Sequence, residues 1–156
     1  NVENYCTIQR FRFGEKINFK IECPEDQDRE VFQAKIPKLT LQPIVENAVF
    51  HGIEPKMGEG IVTLKVLATP RRLLITISDN GVGMEEEHVH LLNDKLKGAS
   101  LTYIKKDKKT GGIALLNVNN RIKLLFGDEY GIYLYSKAGA GTDVEITLPL
   151  ILEEKR

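Results

Sequence analysis

The chain has 156 residues, which suits one compact domain, and its 42% hydrophobic content excludes wholesale disorder. Lysine and arginine together number 22, as do aspartate and glutamate, so a net charge of zero excludes the basic surface expected of a nucleic-acid-binding domain. No apolar run reaches the roughly 18 residues of a membrane span, and we interpret Cys6 and Cys23 as reduced thiols of a cytoplasmic protein.

The first half of the chain alternates between helical and strand-like patterns. In chain order, the apolar spacing predicts the helix Val2–Phe13, the strand Lys16–Glu22, the helix Lys38–His51 and the strands Ile61–Leu67 and Leu73–Ser78. Gly14 and Gly52 are expected to end the two helices, and Pro37 stands where the second could begin.

The second half repeats this alternation. It predicts the helix Glu85–Lys97, the polar loop Gly98–Gly112, the helix Ile113–Phe126 and the strands Ile132–Ser136 and Val144–Leu148. Because neighbouring strand pairs alternate with helices, we predict an α+β fold with helices packed on one face of a mixed, mostly antiparallel sheet.

Three polar clusters are candidates for chemistry. The first comprises Glu46, Asn47 and His51; the last two are four residues apart and so share a helix face. An asparagine oxygen is a suitable ligand for Mg²⁺, which retains waters and bridges to phosphates. A polar helix edge with a satisfied histidine is the alternative interpretation of this cluster.

The second cluster, Asp79 to Met84, follows an apolar strand directly. A carboxylate at a strand end can accept a hydrogen bond from an exocyclic amine, and Gly81 and Gly83 permit a close backbone approach. A β-hairpin at Asn80-Gly81 is the alternative, although the helical pattern that follows disfavours it.

The third cluster is Gly111-Gly112 at the start of the helix Ile113–Phe126. Glycines before a helix N-terminus leave backbone donors accessible to a phosphate, while the alternative is an ordinary loop-to-helix junction. The chain contains no P-loop and no dinucleotide-binding fingerprint.

Taken together, the order and spacing of these clusters resemble the GHKL ATPase superfamily. LQPIVENAVFHG (Leu41 to Gly52) resembles its N box, SDNGVGM (Ser78 to Met84) its G1 box and TGGIALLNVNNRI (Thr110 to Ile122) its G2 box. GTDVEITLP (Gly141 to Pro149) resembles the closing strand of the family. The residues of these boxes are most similar to those of sensor histidine kinases of the LytS and YesM type, and the resemblance covers nearly the whole chain.

The resemblance implies a two-layer α/β sandwich of the Bergerat type that binds Mg²⁺ and ATP beneath a mobile lid. Asn47 is then expected to ligate the metal, and Asp79, with Thr142 nearby, to receive the adenine amine. Glu46, Asn47 and His51 are the catalytic candidates that the resemblance implies, with Glu46 and His51 near the phosphates. The remaining nucleotide-binding candidates lie in the glycine boxes: Gly81, Gly83, Met84, Gly111, Gly112 and Leu115.

The implied reaction is transfer of the γ-phosphoryl group of ATP to a histidine upstream of Asn1. Residues 1–14 would be the end of a dimerisation and phosphoacceptor region, and residues 15–156 the ATP-binding domain. The expected partners are that histidine region, in the same or a partner subunit, and a response regulator. The parent protein is expected to be a membrane-anchored homodimer with this domain in the cytoplasm.

Two departures from the family pattern leave alternatives open. Ala114 and Thr110 stand where the G2 box usually has glycine, which permits a degenerate nucleotide-binding module without catalysis. Pro43 occupies the position, four residues before Asn47, where hydrolytic members carry a general-base glutamate. A hydrolytic ATPase is therefore the less favoured alternative.

Overall fold

A five-stranded mixed sheet forms one layer of the fold. The computed structural model describes residues 17–22, 31, 33–38, 40–53, 59–98 and 112–152. The strands are β1 (Ile17–Glu22), β2 (Gly60–Ala68), β3 (Arg72–Asp79), β4 (Gly131–Lys137) and β5 (Gly141–Pro149). Their spatial order is β1-β2-β3-β5-β4, and every neighbouring pair is antiparallel except β1 and β2.

Side-chain alternation explains why these segments form strands. In β3, Leu73, Ile75 and Ile77 are completely buried, whereas the intervening residues are more exposed. A period of two places every second side chain on the same face, so one face of the sheet is apolar and packs against helices. All five predicted strands are confirmed. Strands β2 to β5 have boundaries shifted by one to three residues, and Lys16, the predicted first residue of β1, lies outside the described residues.

Three helices form the second layer. They are α1 (Leu41–Asn47), which continues as the π-helical segment Ala48–Ile53, α2 (Glu86–Lys97) and α3 (Ile113–Phe126). The π-helical segment packs against β3, α2 and α3 pack against β4, and α1 contacts α3. The predicted α+β architecture, with helices on one face of the sheet, is confirmed.

The predicted bounds of the first of these helices are wrong at both ends. The helix begins at Leu41 rather than Lys38, because the Thr40 hydroxyl donates to the Pro37 carbonyl (2.7 Å) in a turn that precedes it. It also continues through Gly52 to Ile53, in π-helical geometry from Ala48. Pro43 is tolerated because it lies in the first turn, where backbone N–H groups have no intrahelical acceptor.

The other two helices agree with the sequence. Helix α3 has the predicted bounds, and α2 begins one residue late, with Glu85 in an extended conformation before it. Glu86 and Glu87 in the first turn of α2 and Lys95 and Lys97 in its last turn complement the helix dipole.

Several predictions lie outside the described residues. These are the helix Val2–Phe13, the boundary at residue 14, both cysteines, and the interior of the polar loop with Thr110 and Gly111. Among the helices that the structure describes, none is both long and apolar enough to span a membrane.

Two buried asparagines tie the helical layer to the edge strand β4. The Asn119 amide donates to the Leu96 carbonyl (2.9 Å), and its oxygen accepts from the backbone N–H of Ile132 (2.8 Å). Asn93 on α2 forms the equivalent pair of bonds with both backbone groups of Leu134 (2.9 Å each). These bonds fix how far α2 and α3 stand from the sheet.

Replacing Asn119 with alanine should therefore destabilise the protein markedly. The variant leaves a buried carbonyl and a buried N–H without partners, and each orphaned group costs about 1–3 kcal/mol. We expect the free energy of unfolding to fall by about 3 kcal/mol in urea titrations. Asn117→Ala is the control, because Asn117 is exposed and lies two residues before Asn119 on the same helix. Its free energy of unfolding should stay within about 0.5 kcal/mol of the unaltered protein. Equal effects of both variants would contradict the tying role of Asn119.

Candidate functional site

A cavity of about 420 Å³ opens between the helical layer and the ends of β3 and β5. This volume is within the range of small-molecule sites. Its lining comes from the helical residues 47–52, from the loop after β3, from α2 and α3, and from strands β3 and β5. The lining residues are Asn47, Ala48, His51, Gly52, Asp79, Gly83, Met84, Glu85, His88, Leu92, Leu115, Thr142 and Val144.

Asp79 forms the polar floor of the cavity. It is the last residue of β3, only 9% of it is exposed, and its carboxylate accepts the backbone N–H of Gly81 (2.9 Å). Burial raises the pKa of Asp79; backbone hydrogen bonds from Gly81 and Thr142 oppose this, and the charge of Asp143 adds to it. A buried carboxylate with spare lone pairs favours a ligand that donates a hydrogen bond.

Thr142 reaches the same floor from a distant part of the chain. It pairs with Asp79 across the antiparallel strands β3 and β5. Its hydroxyl lies 2.7 Å from the Ser136 hydroxyl, which also donates to the Gly141 carbonyl (2.9 Å) and accepts from the Met84 N–H (2.9 Å). Because a serine has a single hydroxyl proton, Thr142 must be the donor to Ser136, and its free lone pairs can accept from a ligand.

The loop after β3 packs tightly on the π-helical segment. The Val82 N–H donates to the Gly52 carbonyl (2.9 Å), and a side chain at Gly81 would collide with the same backbone group. A Cβ atom on Gly52 would lie 2.7 Å from Asp79 Oδ1. Gly81 thus lets the loop approach the helix and does not line the cavity. Gly52 does not end the helix, although its sequence position predicts this, and instead packs against the Asp79 carboxylate.

Asn80 ties this loop to the sheet. Its side-chain oxygen accepts from the Ile61 N–H (2.8 Å) and its amide donates to the Glu59 carbonyl (3.3 Å). The chain then enters α2 instead of returning as a strand, so the hairpin alternative at Asn80-Gly81 is excluded.

Asn47 and His51 both line the cavity from the same continuous helical segment, as their spacing predicts. Glu46 lies outside the lining; its carboxylate accepts from the Gln42 side chain (3.0 Å) along the helix. The change to π-helical geometry begins at Ala48, directly after Asn47, and such segments are frequent at functional sites.

The far wall involves the start of α3. Leu115 and Leu92 line the cavity, and a Cβ atom on the buried Gly112 would lie 2.5 Å from a methyl carbon of Leu92. The requirement for glycine at this position therefore follows from packing against α2. Gly111 lies outside the described residues, and the role of both glycines in a lid stays a prediction.

The charge of the described lining is unusual for a phosphate site. It contains the acids Asp79 and Glu85 and two histidines, but no lysine or arginine. Nor do the described residues include a group of three or more histidine, cysteine or acidic side chains that could hold a metal ion alone. Asn47, which lines the cavity, has an amide oxygen, a ligand that Mg²⁺ accepts beside waters and phosphates.

Sequence reasoning missed part of this site. Ser136 and Val144 belong to it only because strands β4 and β5 lie beside β3. Glu85, His88 and Leu92 also line the cavity. Their spacing of three and four residues is that of one helix face, and they follow the candidate Met84 directly, so the sequence pattern could have indicated them.

Comparisons with known proteins agree with this geometry. A family profile described as "Histidine kinase-, DNA gyrase B-, and HSP90-like ATPase" matches residues 34–152. The sensor histidine kinase YesM of Bacillus subtilis is 35% identical over 148 residues, which cover 95% of this chain and 22% of YesM. The sensor protein LytS of Oceanobacillus iheyensis is 30% identical over 149 residues, covering 96% and 24%. The chain thus spans less than a quarter of the length of these relatives.

Solved structures show the same fold. A histidine kinase domain of the blue-light-activated histidine kinase from Erythrobacter litoralis superposes with a TM-score of 0.59 at 18% identity, covering 96% of this chain and 59% of that one. The mycobacterial sensor histidine kinase MprB superposes with a TM-score of 0.59 at 15% identity, covering 97% and 94%. At these identities the likeness concerns the fold alone.

Proposed function

Because the chain belongs to the family of histidine kinase-, DNA gyrase B- and HSP90-like ATPases, we propose that it is the ATP-binding catalytic domain of a sensor histidine kinase. The observation that carries the proposal is Asp79, a buried carboxylate on the floor of a ligand-sized cavity beside the Thr142 hydroxyl. This pair presents oxygen acceptors on a largely buried surface, which favours an exocyclic amine such as that of adenine.

In this proposal the base lies against the floor of the cavity. Asp79 accepts the adenine amine, Thr142 offers a second polar contact, and Met84 and Leu115 supply apolar surface for the ring. Gly83, which also lines the cavity, brings the backbone close to the nucleotide. Apolar walls with few well-placed polar groups are the usual composition of a small-molecule site.

The phosphates lie toward the helical wall that carries Asn47. Asn47 would hold Mg²⁺ through its side-chain oxygen, and a metal ion there would supply positive charge to the phosphate oxygens. His51 lies on the same wall, and Glu46 is one residue from the metal ligand. The family resemblance implies that Gly111 and Gly112 would be the hinge of a lid over the phosphates, and this role stays a prediction.

The proposed reaction forms a nitrogen–phosphorus bond. An imidazole nitrogen of a histidine upstream of this chain attacks the γ-phosphorus, the bond to the bridging oxygen breaks, and ADP leaves. The product would pass its phosphoryl group to a response regulator. The parent protein is proposed to be a membrane-anchored homodimer that holds this domain in the cytoplasm.

The hydrolytic alternative lacks a base in the expected position. Pro43 has no group that can take a proton from water, and it is not among the residues lining the cavity. Incubating the parent protein with γ-labelled ATP should give acid-labile label on a histidine, with little free phosphate. Steady phosphate release without protein labelling would support the hydrolytic alternative instead.

The metal role of Asn47 can be tested on the isolated chain. We expect Asn47→Ala to abolish the increase in ATP affinity that Mg²⁺ produces, measured by calorimetry with and without the metal, because the variant lacks the ligand oxygen. Metal-free ATP binding should change less than about threefold, since no other described contact is removed.

Asn47→Asp is the matched control for this test. It keeps an oxygen ligand of the same length, so magnesium dependence should persist. Retention of magnesium dependence in Asn47→Ala would contradict the assignment, as would its loss in Asn47→Asp.

A further inference from the structure

One wall of the cavity carries a polar side chain to which the proposed binding mode assigns no contact. His88 and Leu92 line the cavity from α2, and Glu85 lines it from the position directly before that helix. The His88 backbone N–H donates to the Glu85 carbonyl (3.0 Å), so this residue lies in the ordered first turn of the helix. His88 stands between the loop that carries Met84 and the apolar pair Leu92 and Leu115.

The His88 imidazole is incompletely satisfied. Its Nε2 atom is buried and, within the part of the chain that the structure describes, has no hydrogen-bond partner. Leaving a buried polar atom without a partner costs free energy, so such an atom requires an explanation. Asn93, five residues further along the same helix, has both side-chain groups bonded to Leu134. Among the described residues that line the cavity, His88 is the one with such an atom; Asn120 Oδ1 on α3 also lacks a partner but does not line the cavity.

We propose that His88 is a nucleotide-binding residue whose Nε2–H donates a hydrogen bond to a ring nitrogen of the bound purine. This inference rests on the proposed ATP-binding function. It goes further by adding a second recognition point for the base, on a different element from Asp79. Asp79 accepts from the exocyclic amine, whereas the ring nitrogens of adenine are acceptors and need a donor. A neutral imidazole can supply one.

The surroundings of His88 favour the base over the phosphates. Leu92, Leu115 and Met84 line the cavity together with His88, and these apolar side chains would desolvate a polyphosphate without compensating its charge. Asn47, the candidate metal ligand, lies on a different helix, α1. The purine ring, which is flat and largely apolar with acceptors at its edge, suits the α2 wall.

The first test compares His88→Leu with the unaltered chain in calorimetric titrations with ATP and ADP. One hydrogen bond contributes about 0.5–1.5 kcal/mol, so we expect both affinities to fall by the same factor, between about 2-fold and 13-fold. His90→Leu, at an exposed position that does not line the cavity, is the matched control and should bind both nucleotides normally. Unchanged affinity in His88→Leu, or a loss confined to ATP, would overturn the inference.

A second measurement separates binding from a structural role. Leucine removes the orphaned atom, so the nucleotide-free His88→Leu variant should melt at the same temperature as the unaltered chain or higher. A lower melting temperature together with weaker binding would indicate that His88 only supports the fold, and would overturn the proposal.

Base analogues identify the contact itself. The analogues 1-deaza-, 3-deaza- and 7-deaza-ATP each lack one ring nitrogen. The analogue that lacks the bonded nitrogen should bind the unaltered chain more weakly than ATP does. It should bind His88→Leu with the same affinity as ATP. Equal losses in both proteins for all three analogues would refute the contact. If the unaltered chain binds no ATP at all, the proposed function itself fails. If it binds ATP and Asp79→Asn does not, a null result at His88 refutes only this inference.

Discussion

Replacing Asp79 with asparagine should weaken ATP binding by about 100-fold, or roughly 3 kcal/mol, which is the upper range for a hydrogen bond to a charged group. The carboxylate is buried and lies on the floor of the cavity, so water compensates little for its loss. The new amide would also direct N–H donors toward a ligand amine that needs an acceptor. Calorimetric titration with ATP and Mg²⁺ measures the effect.

Asp143→Asn provides a matched control for this prediction. Asp143 follows Thr142, is exposed and does not line the cavity. The substitution therefore removes the same formal charge from the same region without removing a cavity contact. Its effect on ATP affinity should be within about twofold, since exposed charges contribute little. Comparable losses in both variants would mean that general electrostatics, and not the Asp79 contact, determines binding.

The Asp79→Asn variant should also change how stability depends on pH. Burial raises the pKa of Asp79 above 3.8, so the folded protein binds this proton more tightly than the unfolded chain. The stabilisation from Asp79 is therefore greatest at low pH and is lost as the pH rises through the folded pKa. Asparagine does not titrate, so the stability of the variant relative to the parent should increase from about pH 4 to pH 7 in urea titrations without nucleotide.

Replacing Gly83 with alanine should destabilise the protein by about 3 kcal/mol or more, through backbone strain combined with a collision. Gly83 has φ of +69°, and a Cβ atom there would meet the Lys137 carbonyl. The neighbouring bond from Gly139 N–H to the Val82 carbonyl (2.7 Å) holds the two loops together, so neither can withdraw freely. Urea unfolding measures the loss, and ATP affinity should fall with it because Gly83 lines the cavity.

Gly139→Ala separates the two causes. Gly139 lies in the turn opposite, with φ of +82°, but a Cβ atom there would meet nothing within 4 Å. This variant carries the strain of a positive φ without the collision and should cost about 1–2 kcal/mol. If both variants lost the same amount, the contact with Lys137 would contribute nothing and Gly83 would be required only for its backbone conformation.

The strands and α3 were predictable because their local patterns agree with their final environment. Every second residue of β3 is buried, and α3 runs from Ile113 to Phe126 with a glycine at each flank. The family was also identifiable from the ordered boxes around Asn47, Asp79 and Gly112. Each box is a short sequence motif, so it can be recognised without knowing the conformation of the chain.

The π-helical segment was not predictable from its pattern. Leu41, Ile44, Val45, Ala48 and Val49 have an α-helical period, yet the geometry changes at Ala48. The change accompanies the packing of Gly52 on Asp79 and on the loop at Gly81, which are residues of a different element. A local period carries no information about such a partner.

By itself, the sequence determined the class of fold, the family and the local candidates Asn47, Asp79 and Gly83, because each depends on residues close together in the chain. Only the tertiary structure decided that Ser136 supports Thr142 and Met84, that Gly81 serves packing against Gly52, and that His88 faces the cavity with an unsatisfied nitrogen. These features arise where β3, β5 and β4 lie side by side and α2 closes over them. Contacts between distant segments depend on how buried surfaces fit together, which no single stretch of sequence specifies.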